Sequence, residues 1–170
     1  MIKLSNIGGR YIIVADADVI FLKPTEEQIL NEMGDRDMLF LKERRDHENN
    51  PFEKTSLNIN IGFVVIKCNS RSLSFWQEVQ EKTMIQHGCD QEIANYVAQE
   101  NSIGLNWTML SDLFLNGGDL RKKNVKTQLI TTACGTVAQK YKLSKPDFLS
   151  KILSIVDGKD TRWFDNSPIV

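Results

Sequence analysis

Apolar and polar positions fall in blocks along the chain, and the blocks predict strands alternating with helices. "RYIIVADADVIFL" (10–22) is β-branched and apolar, which predicts one buried strand. In "KPTEEQILNEMG" (23–34), Thr25 with Gln28 fits a capping box and Gly34 supplies a stop, so a short helix is expected. "DMLFL" (37–41) predicts a second strand, and the mixed-sign run "KERRDHENNPFEKTS" (42–56) a solvated loop. "LNINIGFVVIKC" (57–68) is a third strand that carries a glycine.

"NSRSLSFWQEVQEKT" (69–83) opens on a polar cap at Asn69 or Ser70 and sets Leu73, Trp76 and Val79 at helical spacing, which predicts a helix with those three inward. "CDQEIANYVAQE" (89–100) predicts another, with Asp90 at its start and Ile93, Ala94 and Val97 on one face. "LNWTML" and "VKTQLIT" read as short strands. "SKPDFLSKILSIVD" (144–157) reads as a capped helix with an inner stripe of Phe148, Leu149, Ile152, Leu153 and Val156. No repeat or linker interrupts this order. The expected architecture is a single α/β domain over 1–170, a mixed sheet flanked by helices.

Composition changes this picture little. The chain has 170 residues, 41% hydrophobic and 25% charged, which suits one core. A net charge of −1 offers nothing to nucleic acid or to an anionic membrane surface. No apolar stretch approaches the length of a transmembrane segment, and the N-terminus lacks the pattern of a signal peptide. Cys68, Cys89 and Cys134 are an odd, scattered set without zinc spacing. They read as free thiols in a reducing compartment, which places the expected location in the cytoplasm.

The chemistry lies in the apolar run that Asp16 and Asp18 interrupt. Carboxylates inside an oily strand are costly without compensation. In an extended strand side chains alternate faces, so both point the same way and repel each other unless a cation sits between them or nearby. Oxygen ligands of this kind suit Mg²⁺ or Mn²⁺, which keep waters and share phosphate oxygens of a substrate. The plainer reading is a strand end reaching solvent, where the aspartates cap a turn.

"YIIVADADVIFLKP", then "NINIGFVVIKCNSRSLSFWQEV", then "CDQEIANYV", in that order, resemble the nucleotide-diphospho-sugar transferases of the GT-A glycosyltransferase fold. The likeness spans roughly residues 10 to 118, over a D-x-D strand, an Asn-x-Gly-Phe strand and a D-Q-x-x-x-N helix start. It implies a GT-A-like (Rossmann-like) fold and transfer of a sugar from a nucleotide-diphosphate sugar to a hydroxyl of a carbohydrate or glycoconjugate. By the same resemblance Asp16 and Asp18 would hold Mn²⁺ or Mg²⁺ on the donor diphosphate. Asn60 and Gly62 would line the sugar pocket, with Gln91 beside them, and Asp90 would orient the transferred sugar or act on its reactive face. Trp107 is the candidate platform for a sugar ring. On the residues alone, Gly62 reads equally as a strand bulge and Asp90 as a helix N-cap.

Two departures from the resemblance stand out. Only "MIKLSNIGGR" precedes the D-x-D strand, too little for a nucleotide-binding βαβ half and not expected to form a strand, so the chain reads as N-terminally truncated. Thr132, before Gly135, stands where related enzymes carry a metal-binding histidine. His47 and His87 lie elsewhere; the first reads as exposed, the second as a near neighbour of the D-Q helix. A partner or a second copy could complement a short chain, though no residue pattern speaks for an oligomer.

Two rival readings stay open. A hydrophobic strand followed by D-x-D also resembles haloacid dehalogenase-type phosphohydrolases, with Asp16 as nucleophile and Asp18 as general acid. A non-catalytic domain that binds a nucleotide-sugar is the third.

Overall fold

The computed structural model describes residues 2–7, 9–43, 59–114, 129–132 and 144–157. The chain divides into two compact units, Met1–Asp16 with Glu26–Ser111, and Ala17–Thr25 with Asp112–Val170.

The first unit is built on a five-stranded mixed sheet of order β1-β2-β5-β4-β6. Its strands are β1 (Ile2–Ile7), β2 (Gly9–Ala15), β4 (Met38–Lys42), β5 (Ile59–Lys67) and β6 (Trp107–Met109). All neighbours are antiparallel except β4 and β6, which run parallel. Met38, Leu39, Phe40 and Leu41 are all fully buried, so β4 is covered on both faces. That is why its sequence is a continuous apolar run rather than an alternation. Helix α1 (Glu26–Met33) packs against β4 and buries Ile29 and Met33. It stops at Gly34, whose φ of +47° lies in the left-handed region where a Cβ would be strained.

Helices α2 (Ser70–Gln86) and α3 (Asp90–Glu100) pack on each other, and their apolar faces join Met38, Phe40, Ile59 and Val64 of the sheet in one core. Phe40 is the centre of that contact. Its ring lies 5.6 Å from those of Phe75 and Trp107, and burying such a side chain contributes about 2–3 kcal/mol.

A buried carboxylate ties the elements together at the start of β4. Asp37 is fully buried, and its two oxygens accept from Arg71 Nε (2.6 Å), Arg71 Nη2 (2.9 Å), Asn69 Nδ2 (2.6 Å) and the Asn106 amide (3.0 Å). Its carbonyl takes the amide of Lys67 at the end of β5 and the hydroxyl of Ser72 in α2. Asn69 serves twice, since its Oδ1 also caps α2 by accepting from Ser72 N at 2.9 Å. One residue, through its side chain and its carbonyl, thus ties together β4, β5, β6 and α2.

In the second unit, β3 (Val19–Phe21) pairs antiparallel with β7 (Ile130–Thr132), and α4 (Lys145–Val156) follows. Ser144 Oγ accepts from Asp147 N at 3.2 Å and donates to Asp147 Oδ2 at 2.5 Å, so α4 has the cap expected of it.

Four expectations need correction. The run 10–22 is not one strand: β2 ends at Ala15, a turn holds Ala17 and Asp18, and β3 begins at Val19. Residues 2–7, not expected to be extended, form β1 in an antiparallel hairpin with β2. In α2, Leu73 is 60% exposed and the buried positions are Ser72, Phe75 and Val79. A spacing of three taken twice walks about 120° around a helix, whereas Ser72, Phe75 and Val79 fall within about 60°. In α4, Leu153 is exposed rather than inward. The expected loop at 44–56 lies outside the described residues.

The Arg71 guanidinium and the other donors hold the Asp37 carboxyl at about 2, down from 3.8, against the opposing effect of burial. A folded-state value below the unfolded one adds stability that is complete above about pH 4 and is lost as pH falls toward about 2. Asp37→Asn is expected to cost about 2 kcal/mol at neutral pH and to flatten stability between about pH 4 and 2, read by urea unfolding across that range.

Candidate functional site

The candidate residues of the first unit gather where two strands part. From Met38 to Phe40, β4 pairs with Ile66 to Val64 of β5; the next pair is Leu41 with Asn60. One step along β4 therefore spans four along β5, and Ile61 and Gly62 fall within that jump in register. Buried backbone amides cannot be left unpaired without a penalty of about 1–3 kcal/mol each. Here two side-chain amides take them. Asn60 Oδ1 accepts from Gly62 N at 2.8 Å, a local capture two residues along the chain. Gln91 Oε1 accepts from Ile61 N at 3.4 Å.

Gly62 is a glycine because of what lies beside it. A Cβ built there would stand 2.7 Å from Asp16 Oδ2 and 2.9 Å from Asn60 Oδ1. Asp16 N also donates to the Gly62 carbonyl at 2.8 Å, one step beyond the β2–β5 ladder. Asp16 is thus set against the bulge by its own backbone, with its carboxylate over a backbone that has no side chain. The bulge reading of Gly62 and the close-approach reading are one arrangement.

Helix α3 is fastened to the same strand. Asn95 Oδ1 accepts from Ile59 N at 2.8 Å, and Asn95 Nδ2 donates to the carbonyls of Ile59 (2.8 Å) and Gln91 (2.9 Å). This amide pairs with β5 as a neighbouring strand would, and it places Gln91 one helical turn earlier over Ile61. Asp90 is exposed at the first position of α3, where its Oδ1 accepts from Gln91 N at 2.8 Å. It is not the N-cap: that position is Cys89, which makes no capping bond through its side chain.

The structure thus brings together Asp16, Asn60, Gly62 and Gln91. Asp18 lies in the turn after β2 and is half-buried. Its expected same-face relation to Asp16 rested on an unbroken strand, and the strand ends at Ala15. Among the described residues neither aspartate is in an ion pair, and no three His, Cys, Asp or Glu side chains gather into a group able to hold a metal on their own. A carboxylate that is exposed and free of a cationic partner fits an ion that would take its other ligands from water and phosphate.

Trp107 stands edge-on to Phe40 and packs against the core. His87 is the exposed C-cap of α2, at a φ of 50°. Thr132 ends β7; Gly135, His47 and Cys134 lie outside the described residues. Cys68 and Cys89 are free and exposed. Among the described residues no helix is long and apolar enough to cross a membrane.

Two participants carried no assigned role in the sequence. Asn95 was legible as the last polar residue of D-Q-x-x-x-N, at the four-residue spacing that puts it on Gln91's face. Glu43, whose Oε2 accepts from Asn60 Nδ2 at 2.8 Å and from Gln91 Nε2 at 3.2 Å, sits at the head of a charged run that gave no reason to single it out.

A family model described as nucleotide-diphospho-sugar transferase matches residues 8–146. No curated protein and no solved structure matches the chain.

Gly62→Ala is expected to turn the exposed Asp16 carboxylate away from β5 and to push the Asn60 amide off the Gly62 N–H, at a cost of about 1–3 kcal/mol for the acceptor lost. Denaturant unfolding and a crystal structure of the variant check the two halves of this expectation.

Proposed function

Because the chain belongs to the nucleotide-diphospho-sugar transferase family, we propose that it transfers a sugar from a nucleotide-diphosphate sugar to an acceptor hydroxyl with the help of a divalent metal ion. The observation that carries this reading is the convergence of Asp16, Asn60, Gly62 and the first turn of α3 on the bulge of β5. In the reaction the acceptor oxygen bonds to the anomeric carbon, the bond from that carbon to the diphosphate breaks, and the hydroxyl proton leaves to a base. Negative charge therefore builds on the leaving diphosphate.

Asp16, with Asp18 two residues along, would hold Mn²⁺ or Mg²⁺. When bound, such an ion supplies Lewis-acid stabilisation of that charge. Asn60 and Gln91 would meet the sugar hydroxyls, and Gly62 leaves room for the Asp16 carboxylate against the backbone of the same strand. Asp90, exposed at the start of α3, would orient the sugar from the helix side. The family assignment favours this reading over a phosphohydrolase, for which Asp16 would have to be a nucleophile.

A panel of nucleotide-sugars incubated with and without Mn²⁺ tests the reading, with free nucleoside diphosphate as the signal. Release should depend on the metal and fall by roughly a hundredfold or more in Asp16→Asn and in Asp18→Asn. Turnover of a simple phosphate ester with no response to nucleotide-sugars would overturn it.

A further inference from the structure

We infer that Glu43 is the positioning residue of this site, a single carboxylate that sets the orientation of both ligand-facing amides and thereby holds the β5 bulge open beside Asp16. Glu43 directly follows β4, at the point where β4 and β5 have come back into register after the bulge. Its Oε2 receives two amide donors from different elements, Asn60 Nδ2 on β5 at 2.8 Å and Gln91 Nε2 on α3 at 3.2 Å. The oxygens of the same two amides face the other way, onto the backbone amides of Gly62 and Ile61.

This pattern has only one consistent orientation. A primary amide presents an acceptor on one side and donors on the other, and a half-turn exchanges them. Flipping Asn60 would set its oxygen against the Glu43 carboxylate and its NH₂ against the Gly62 N–H. Flipping Gln91 would do the same at Ile61. Both contacts would be repulsive, so an anionic acceptor at position 43 removes the ambiguity for the pair. A residue without an acceptor there would leave each amide free to turn, and the bulge amides would lose their acceptors for part of the time.

The consequence reaches the ligand. Each NH₂ spends one hydrogen on Glu43, which leaves the second to point elsewhere. Asn60 and Gln91 therefore offer hydrogen-bond donors to whatever lies over the bulge, which suits the oxygens of sugar hydroxyls. This part of the inference rests on the transferase reading; the locking of the amides does not.

The test uses Glu43→Leu, which keeps the bulk and removes the acceptor, and Glu43→Gln, whose single carbonyl oxygen can still receive both donors. In the spectrum of the folded protein, the side-chain NH₂ resonances of Asn60 and Gln91 should shift together in Glu43→Leu and stay near their wild-type positions in Glu43→Gln. In the nucleotide-sugar assay, Glu43→Leu should lose roughly ten- to a hundredfold in kcat/KM. Glu43→Gln should return to within roughly fivefold of wild type, since a charged acceptor is worth more than a neutral one. Unmoved resonances in Glu43→Leu would overturn the inference, as would equal losses of activity and melting temperature in both variants, the mark of a merely structural role. If the wild-type protein turned over no nucleotide-sugar, the reading of function would fail, and the resonances would still decide the role of Glu43.

Discussion

Everything at the site follows from two backbone N–H groups that fall in the jump of the β4–β5 register and take side-chain acceptors instead. Ile61 and Gly62 lie where β5 leaves β4, and a buried donor without an acceptor is among the more expensive defects a fold can carry. The chain answers with side chains that imitate backbone. Asn60 reaches its own strand two residues on, Gln91 reaches across from α3, and Asn95 pairs with Ile59 through both of its amide groups. Polar residues that look like ligand contacts in a motif are first of all the acceptors the bulge needs.

The bulge in turn makes room. With no Cβ at Gly62, the Asp16 carboxylate rests within the space a side chain would fill, and its backbone is tied to the same residue. Stiffness comes from both ends of β5. Asn95 grips Ile59 at one end, and the Asp37 carbonyl takes Lys67 N at the other, in a network that also sets the start of α2. A site on a strand held this way keeps its geometry better than one on a loop. The core on one face, centred on Phe40, supplies the packing that makes these polar connections worthwhile.

Much of this was legible because it is local. The β4 run, the Asn69 cap, the Gly34 stop and the apolar face of α3 each depend on a few neighbouring residues and appeared where expected. The breaks were harder to read. Ala15 and Val19 are as strand-like as their neighbours, so only Asp16 and Asp18 themselves, in the plainer reading where they cap a turn at a strand end, signalled that the run of 10–22 divides. The phase of α2 was misjudged because Leu73 is the more apolar choice, while Ser72 is buried through its bond to the Asp37 carbonyl. Glu43 and Asp37 are ordinary acidic residues in sequence. Their importance arises only from partners as far as 69 positions away, as between Asp37 and Asn106.

Native-state hydrogen exchange reads the underlying geometry without any ligand. If side-chain amides really stand in for the missing strand, the Ile61 and Gly62 N–H groups will exchange as slowly as the ladder amides of Val64 and Val65 beside them. Exchange of those two at the rate of an open loop, with Val64 and Val65 still protected, would mean that Asn60 and Gln91 do not close the gap, and the architecture of the site described above would be wrong.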